Sequence, residues 1–253
     1  GQLRDVPPGT RPLDLLPAEA DGAQVVAATF GARPIALDTP LFTDGRLTLV
    51  TLASWDGRDV YRRSLGLVLL EAARRVAPGR RLQIGQSLST AQRVLVPGGD
   101  DDLDALAPRL EAAVAELLAA DLPLYEELWS IDEAQTYFAE QGPDAVARLL
   151  TIWRNPTVRI ARFGDTLTLH SGPLVPSSRL LSPPRIAPIN GSLLLDFAET
   201  LGRFMPEAEG RAVDPALLER AAPRFGSPMA REHTEWLARS GVTSVGAYNE
   251  VCI

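Results

Sequence analysis

Lysine is absent from this chain of 253 residues, and all 25 of its basic side chains are arginines. The chain therefore has neither a P-loop lysine nor a Schiff-base lysine, which excludes a P-loop kinase built from this chain alone. Cysteine and histidine are almost as scarce, with one and two residues. A zinc site of three or four nitrogen and sulfur ligands is nearly impossible unless carboxylates join it, and we expect no metal site.

Long hydrophobic runs are also missing, since no apolar stretch reaches the ~18 residues that a membrane span needs. The first residues, G-Q-L-R, lack the basic and then apolar pattern of a signal peptide. The lone Cys252 permits no internal disulfide, so we expect a cytoplasmic protein without a membrane partner. A net charge of -7 argues against non-specific coating of nucleic acid but leaves room for a local basic cleft.

The first 54 residues are typical of a small β/α unit. Short β-rich runs alternate with turns marked by glycine and proline, and one short helix is predicted at residues 12–16. The strands are predicted at 3–6, 24–30, 35–37 and 47–52. A polar linker at residues 54–59 then separates this unit from the rest of the chain.

The middle of the chain mixes helices with short strands. An almost wholly apolar pattern predicts a central helix at 60–76, and an apolar stripe from Leu103 to Leu118 predicts a second helix. The remaining helices and strands are predicted at 81–89, 92–96, 131–141, 143–153, 157–163, 166–169 and 192–197. Gly164 and Asp165 separate two of these strands, which predicts a hairpin.

The end of the chain, from residue 204, has a different composition. Residues 204–225 are rich in proline, glutamate and glycine and predict a linker holding one short helix at 215–222. An amphipathic helix is predicted at 228–240, and His233 falls on it.

Two positions are the strongest candidates for a functional site. His170 stands where a strand ends in a turn punctuated by Gly172 and Pro173, so a rigid element holds it near a surface. Arg62 and Arg63 stand in the first turn of the central helix, where the helix dipole disfavours cations. Pairing with a nearby aspartate explains these arginines, and so does an anion site at the mouth of a cleft.

The first unit resembles a TGS domain, the ubiquitin-like module at the front of threonyl-tRNA synthetases. The similar runs are V-P-P-G-T at residues 6–10 and V-V-A-A-T-F-G-A-R-P-I-A-L-D at residues 25–38. The resemblance implies a β-grasp fold for residues 1–54.

The middle of the chain resembles the second additional domain of threonyl- and alanyl-tRNA synthetases. The similar runs are Y-R-R-S at 61–64, I-G-Q-S at 84–87 and H-S-G-P-L-V-P at 170–176. In the editing synthetases His-x-x-x-His and Cys-x-x-x-His bind zinc or a water and hydrolyse mischarged tRNA. Those four positions fall here on Arg63, Leu67, His170 and Leu174, which implies a retained scaffold and lost editing chemistry.

The same runs, with Trp236, G-V-T-S-V-G at 241–246 and Asn249, resemble the N-terminal half of bacterial uridine kinase-like nucleoside kinases. That family implies a TGS domain and a synthetase-like domain before a kinase domain in cis. ATP and magnesium are then expected only for that kinase domain, outside this chain, and no cofactor is expected within it. The family usually has histidine where this chain has Gln86, and an aromatic run where this chain has A-Q-R at 91–93.

The expected fold is α+β, with a β-grasp (ubiquitin-like) domain at residues 1–54 and an editing-domain-like α+β domain at 59–203. Residues 204–253 are expected to form a linker and helices that lead toward the kinase domain. The candidate ligand-binding residues are Arg62, Arg63, Gln86, Ser87, His170 and Ser171.

Three functions are consistent with this expected fold and these candidate residues. The first is a non-catalytic or regulatory module of a nucleoside kinase, which binds a nucleotide, a nucleoside or an RNA end, since arginine pairs with phosphate in a bidentate way. The second is an aminoacyl-tRNA editing hydrolase with His170 as its general base. The third is a purely structural or interaction domain in which His170 is a satisfied junction residue.

Overall fold

The computed structural model describes residues 3–88, 90–97, 102–140, 144–205 and 239 of the chain. The fold is of the α+β class, as expected, with helices and antiparallel sheets in alternation. The described residues divide into two compact units, one formed by the chain up to Glu127 together with the chain from Ile160, and the other by residues 128–159. None of the helices in these ranges combines the length and apolar character that a bilayer span needs.

Six α-helices and eleven strands make up the described residues. The helices are α1 Pro12–Leu15, α2 Trp55–Val76, α3 Leu103–Ala119, α4 Ile131–Glu140, α5 Asp144–Thr151 and α6 Ala198–Leu201. The strands are β1 Glu19–Ala20, β2 Ala23–Phe30, β3 Arg33–Ile35, β4 Leu47–Thr51, β5 Gln83–Leu88, β6 Ala91–Leu95, β7 Tyr125–Ser130, β8 Thr157–Phe163, β9 Thr166–Leu169, β10 Arg185–Ile189 and β11 Ser192–Asp196.

The strands form three sheets. In the first sheet the long strand β2 pairs with β1, β3 and β4, all antiparallel. The second sheet has the order β10-β11-β6-β5, and the third has the order β7-β8-β9. Strands β8 and β9 form the hairpin that the sequence predicts, with Phe163 opposite Thr166 and Ile160 opposite Leu169.

Helix α2 is the centre of the first unit's core. Its residues Leu65, Val68, Leu69 and Ala72 are fully buried, in one cluster with side chains of β2, β4, α3 and β11. A helix of 22 residues that buries apolar groups on most of its surface gains its stability from packing rather than from propensity. The turn that carries the site described below is attached to this helix.

Two local predictions for the first unit are wrong. Residues 3–6 form no strand, and residues 54–59 are not a linker, because helix α2 already begins at Trp55. The side-chain oxygen of Ser54 accepts a hydrogen bond from the N–H of Gly57 at 3.1 Å, which caps the helix. The cap lies six residues before the predicted start at Val60, which explains why periodicity alone placed the start too late.

The predicted linker and helices at 206–238 and 240–253 lie outside the described residues. His233, Trp236 and Cys252 are among them, so the structure leaves those predictions as they stand.

Candidate functional site

Near its start, helix α2 is tethered to the turn that follows β9. The Arg63 guanidinium donates from Nη1 to the carbonyl of Pro173 at 2.8 Å, and the N–H of Val175 donates to the hydroxyl of Ser64 at 2.9 Å. Leu174 lies between the two tethered residues and is buried. The turn is therefore fixed beside the first turns of the helix.

Glycine is required where the turn passes the Arg63 side chain. Gly172 has a φ of +146°, and a Cβ atom there would lie 2.7 Å from Nη1 of Arg63 and 2.8 Å from its Cζ. Only a residue without a side chain allows both the backbone conformation and this close approach.

Glu71 forms a second attachment, two turns further along α2. Its carboxylate has no exposed surface and accepts hydrogen bonds from Arg74, from Arg75 at 2.8 Å and from the hydroxyl of Thr166 at 2.8 Å. Arg74 also pairs with Asp165 at 2.6 Å. Burial alone would raise the pKa of Glu71, but these hydrogen bonds outweigh it and hold the pKa below its ordinary value.

The two attachments set the direction of β9. Thr166 contacts Glu71 and Pro173 contacts Arg63, so the chain from β9 into the turn runs antiparallel to α2. His170 lies between the two contact points, beside the stretch of helix that separates them.

His170 approaches a carboxylate from β7. Its Nε2 lies 2.8 Å from Oε1 of Glu126, which is the distance of an ion pair. The direction of approach does not satisfy hydrogen-bond geometry, and Nε2 is buried without a hydrogen-bond partner among the described residues. We therefore treat the pair as a close electrostatic contact rather than as a formed hydrogen bond.

Charges of both signs meet at this place. Burial lowers the pKa of Arg63, while Asp59 and Glu126 act in the opposite direction. Burial raises the pKa of Asp38, from the loop after β3, and the charge of Glu126 raises it further. We call the group formed by Arg63, Glu126, His170 and the backbone of Gly172-Pro173 the Arg63–His170 site.

The residues at the editing-type positions do not fit a metal ion. Leu67 and Leu174 are buried members of the hydrophobic core, and the Arg63 side chain is a fixed cation bonded to the turn. Within the described ranges, no three histidine, cysteine, aspartate or glutamate side chains are grouped to hold a metal. We derive no chemical step through zinc, because an aliphatic side chain offers no ligand and a guanidinium repels a cation.

Arg62 points away from this site although it is the neighbour of Arg63. Its guanidinium is buried, 3.4 Å from the carboxylate of Asp59 and 3.9 Å from the sulfur of Met205. Successive residues of a helix face different directions, so a pair of adjacent arginines does not make one binding face. The two guanidinium groups contact different atoms, although the charge of Asp59 acts on both.

The other candidate residues lie on β5 and in the turn. Ser87 pairs with Gln92 in the β5–β6 ladder, which has an irregularity between Ile84 and Ser87, and the Nε2 of Gln86 is buried without a hydrogen-bond partner among the described residues. Ser171 is exposed beside His170. In the described part of the chain, no hydrogen bond or ion pair links Gln86 or Ser87 to Arg63 or His170, so their role as ligand contacts stays a prediction.

Sequence reasoning missed the acidic members of the site. Glu126 lies in β7, whose polar sequence Y-E-E-L-W-S does not predict a strand. Asp38 lies in a loop. Glu71 had a usable signal, because it is the only carboxylate inside the apolar run 65–73 of α2. A lone charge in a buried helix requires partners, and that requirement could have pointed to Arg74 and Arg75.

An open cavity of about 90 Å³ lies elsewhere in the first unit. Its lining is Tyr61, the turn Ser182-Pro183-Pro184-Arg185 and residues 196–200. It contains none of the candidate ligand-binding residues. The cavity and the candidate ligand-binding residues therefore lie in different places. The Arg63–His170 site is the stronger candidate because specific hydrogen bonds hold it together.

No protein-family model matches the chain. The chain is similar to threonine--tRNA ligases from several bacteria. The protein from Rhodospirillum rubrum is 29% identical over 170 residues, covering 65% of this chain and 26% of that protein. The protein from Syntrophotalea carbinolica is 29% identical over 198 residues, covering 76% and 31%. The protein from Bacillus velezensis is 25% identical over 202 residues, covering 76% and 30%.

The chain thus spans about a quarter to a third of the length of these relatives. The similarity agrees with the resemblance to threonyl-tRNA synthetase modules. The prediction of a uridine kinase-like nucleoside kinase is wrong, because the relatives are threonine--tRNA ligases. Most of the runs that suggested the kinase are the short runs that the synthetase modules share, and the others, at Trp236, 241–246 and Asn249, lie outside the described residues.

Proposed function

We propose that this chain binds the 3′ end of a tRNA at the Arg63–His170 site, as a module that lacks metal-dependent editing chemistry. The supporting observation is that Arg63 is bonded to the turn that follows His170, and that Leu67 and Leu174 are buried in the core, so a guanidinium and two aliphatic groups stand in place of metal ligands. The similarity to threonine--tRNA ligases supports the choice of tRNA over a free nucleotide.

The chemistry of Arg63 suits an RNA end. One terminal nitrogen of the guanidinium donates a hydrogen bond to the carbonyl of Pro173. The other N–H groups of this planar guanidinium match a phosphate or a ribose hydroxyl. The guanidinium is half-buried, where a charged hydrogen bond is stronger than it is in bulk water. His170 lies 2.8 Å from Glu126, whose charge also acts on Arg63, and it adds a second polar group to the site.

The finer fold assignment belongs to the same proposal. We take residues 1–54, with the sheet formed around β2, as a β-grasp domain and residues 59–203 as an editing-domain-like scaffold. The turn tethered to α2 corresponds to the H-S-G-P-L-V-P run that carries the resemblance.

Hydrolysis of the aminoacyl ester is the second candidate function. It is favoured by the 2.8 Å approach of Glu126 to His170, since a carboxylate beside a histidine can orient the ring as a general base. The guanidinium of Arg63 would then face the developing oxyanion. Both candidates use the same site, and one experiment separates them.

Changing Arg63 to glutamine should weaken the binding of a hairpin RNA with an unpaired 3′ end by about 10- to 100-fold, which is the usual worth of a charged hydrogen bond. Arg63→Lys should give an intermediate affinity, because it keeps the charge and loses the fork. Fluorescence anisotropy of the labelled RNA measures the change. Arg33→Gln, at an exposed position of β3, is the control with the same change of charge.

The same preparations are then incubated with aminoacyl-tRNA. The binding proposal predicts release of the amino acid at the uncatalysed rate, with and without His170→Ala. Release that is faster with the unaltered chain and lost in His170→Ala would establish the hydrolase instead. Equal RNA affinity of Arg63→Gln and Arg33→Gln would show that neither activity uses this site.

A further inference from the structure

A segment of the second unit carries a concentration of positive charge. Residues 148–159, R-L-L-T-I-W-R-N-P-T-V-R, contain three arginines and no acidic residue, in a chain with 25 basic and 32 acidic residues. The segment runs from the end of α5 into β8, and positions 151–157 are all exposed. The segment is therefore locally basic within an acidic chain.

An aromatic ring is fixed at the surface in the middle of this segment. The indole Nε1 of Trp153 donates to the carbonyl of Thr157 at 3.1 Å, and 38% of the residue remains exposed. Ile152 beside it is 46% exposed. The hydrogen bond fixes the indole N–H, and part of the ring stays accessible to a ligand.

The segment is held in place by contacts of the buried residue Leu150. Leu150 is fully buried, and its carbonyl accepts from the side chain of Gln135 on α4 at 2.9 Å and from the N–H of Trp153 at 3.2 Å. The exposed side chains are thus presented by an ordered turn. This gives Trp153 a fixed position without using its outer surface.

Two of the three arginines in the segment carry charges that are not neutralised within the described residues. Arg148 and Arg154 are both exposed, and no ion pair is formed by either within the described residues. Compensation of the helix dipole accounts for Arg148, which lies in the last turn of α5, but it does not account for Arg154 beyond the helix end. We name the surface of Arg148, Ile152, Trp153 and Arg154 the basic aromatic edge.

We propose that the basic aromatic edge is an RNA-binding surface, on which the two arginines contact backbone phosphates and Trp153 stacks on a base. Positive charge interleaved with an exposed aromatic ring is the combination that single-stranded RNA segments require. The inference rests on the proposed function, since it assigns to the same RNA a second contact on the second unit.

Salt dependence of RNA binding tests the edge. The probe is the labelled hairpin RNA with an unpaired 3′ end, titrated with the full chain at several KCl concentrations. Each phosphate contact contributes ~0.7 to 0.9 to the slope of log affinity against log salt concentration. The double variant Arg148→Gln/Arg154→Gln should therefore lower the slope by about 1.5. Trp153→Ala should weaken binding roughly tenfold with the slope unchanged, and Trp153→Phe should retain most of the affinity.

The matched control is Arg33→Gln/Arg46→Gln, which removes the same charge from exposed positions of the first unit. Equal slopes for the two double variants would overturn the edge while leaving the Arg63 result intact. RNA that fails to bind the unaltered chain would overturn the proposed function itself. Binding of anionic phospholipid vesicles through the same residues, without RNA binding, would replace RNA by a membrane surface, and loss of self-association in the variant would replace it by a second copy.

Discussion

Glu71→Ala should lower the free energy of unfolding by about 3 kcal/mol, as measured by urea denaturation followed by circular dichroism. The carboxylate is fully buried and is the common acceptor for Arg74, Arg75 and Thr166. Its removal leaves Arg75 and the hydroxyl of Thr166 without this acceptor. It also leaves Arg74 with Asp165 alone among the described residues, and it opens space against Gly164. The arginines are each nearly half exposed and can turn to water, which keeps the loss near the lower end for a broken buried pair.

Exposed Glu116 on α3 supplies the control. Glu116→Ala removes the same group from a helix without buried partners and should change stability by less than about 0.5 kcal/mol. Equal losses in the two variants would mean that the Glu71 network stabilises nothing. Glu71→Gln should fall between them, because it keeps the volume and loses the charge.

The same network predicts a pH dependence with a defined sign. The pKa of Glu71 is lowered in the folded state, so its contribution is fully present above the unfolded pKa and is lost as the pH falls through the folded value. The stability difference between the unaltered chain and Glu71→Gln should therefore shrink below about pH 4. A difference that grows on acidification would contradict the assigned hydrogen bonds.

Gly57→Ala should destabilise the fold by about 3 kcal/mol, although alanine is normally the better helix residue. A Cβ at position 57 would lie 1.9 Å from the carbonyl oxygen of Thr51 and 2.5 Å from its carbonyl carbon. Both are backbone atoms at the end of β4, so neither can turn aside as a flexible side chain does. Relief requires moving the helix start, where the N–H of Gly57 also bonds to Ser54.

Gly66 provides a control in the same helix. A Cβ there meets only the side chain of Ile84, at 3.5 Å, which is ordinary contact. Gly66→Ala should be neutral or stabilise by up to about 1 kcal/mol, because it removes backbone freedom from the unfolded chain. The same urea experiment compares the two, and a shared sign would contradict the close approach of α2 to Thr51.

The hairpin of β8 and β9 shows what could be predicted from sequence. Its strands have the predicted bounds, because alternation and the Gly164-Asp165 turn are both local signals. Three strands were not predicted from the sequence, namely β1, β7 and β10. β10 contains Pro188, which an edge strand paired only with β11 tolerates. The sequence of β7 is too polar to predict a strand. Its glutamates Glu126 and Glu127 are accommodated by His170 and Arg162, which are distant in the chain.

The same distinction between local sequence signals and long-range contacts applies to the candidate site. The position of His170 directly after β9 followed from local pattern, and the tether of Arg63 to the turn agrees with the resemblance. The separate environment of Arg62 and the approach of Glu126 depend on tertiary packing, which no local pattern contains. Charged partners far apart in the chain are the part that sequence could not supply.

The most direct test of the central claim is the nuclear magnetic resonance signal of the His170 ring, since the chain has only two histidines and His170→Ala assigns it. Adding the hairpin RNA with an unpaired 3′ end should shift the His170 signals, and a blunt hairpin should not. Arg63→Gln should suppress the shift at the same RNA concentration. RNA that binds while the His170 signals stay in place would contradict the account, because the RNA end would then lie elsewhere.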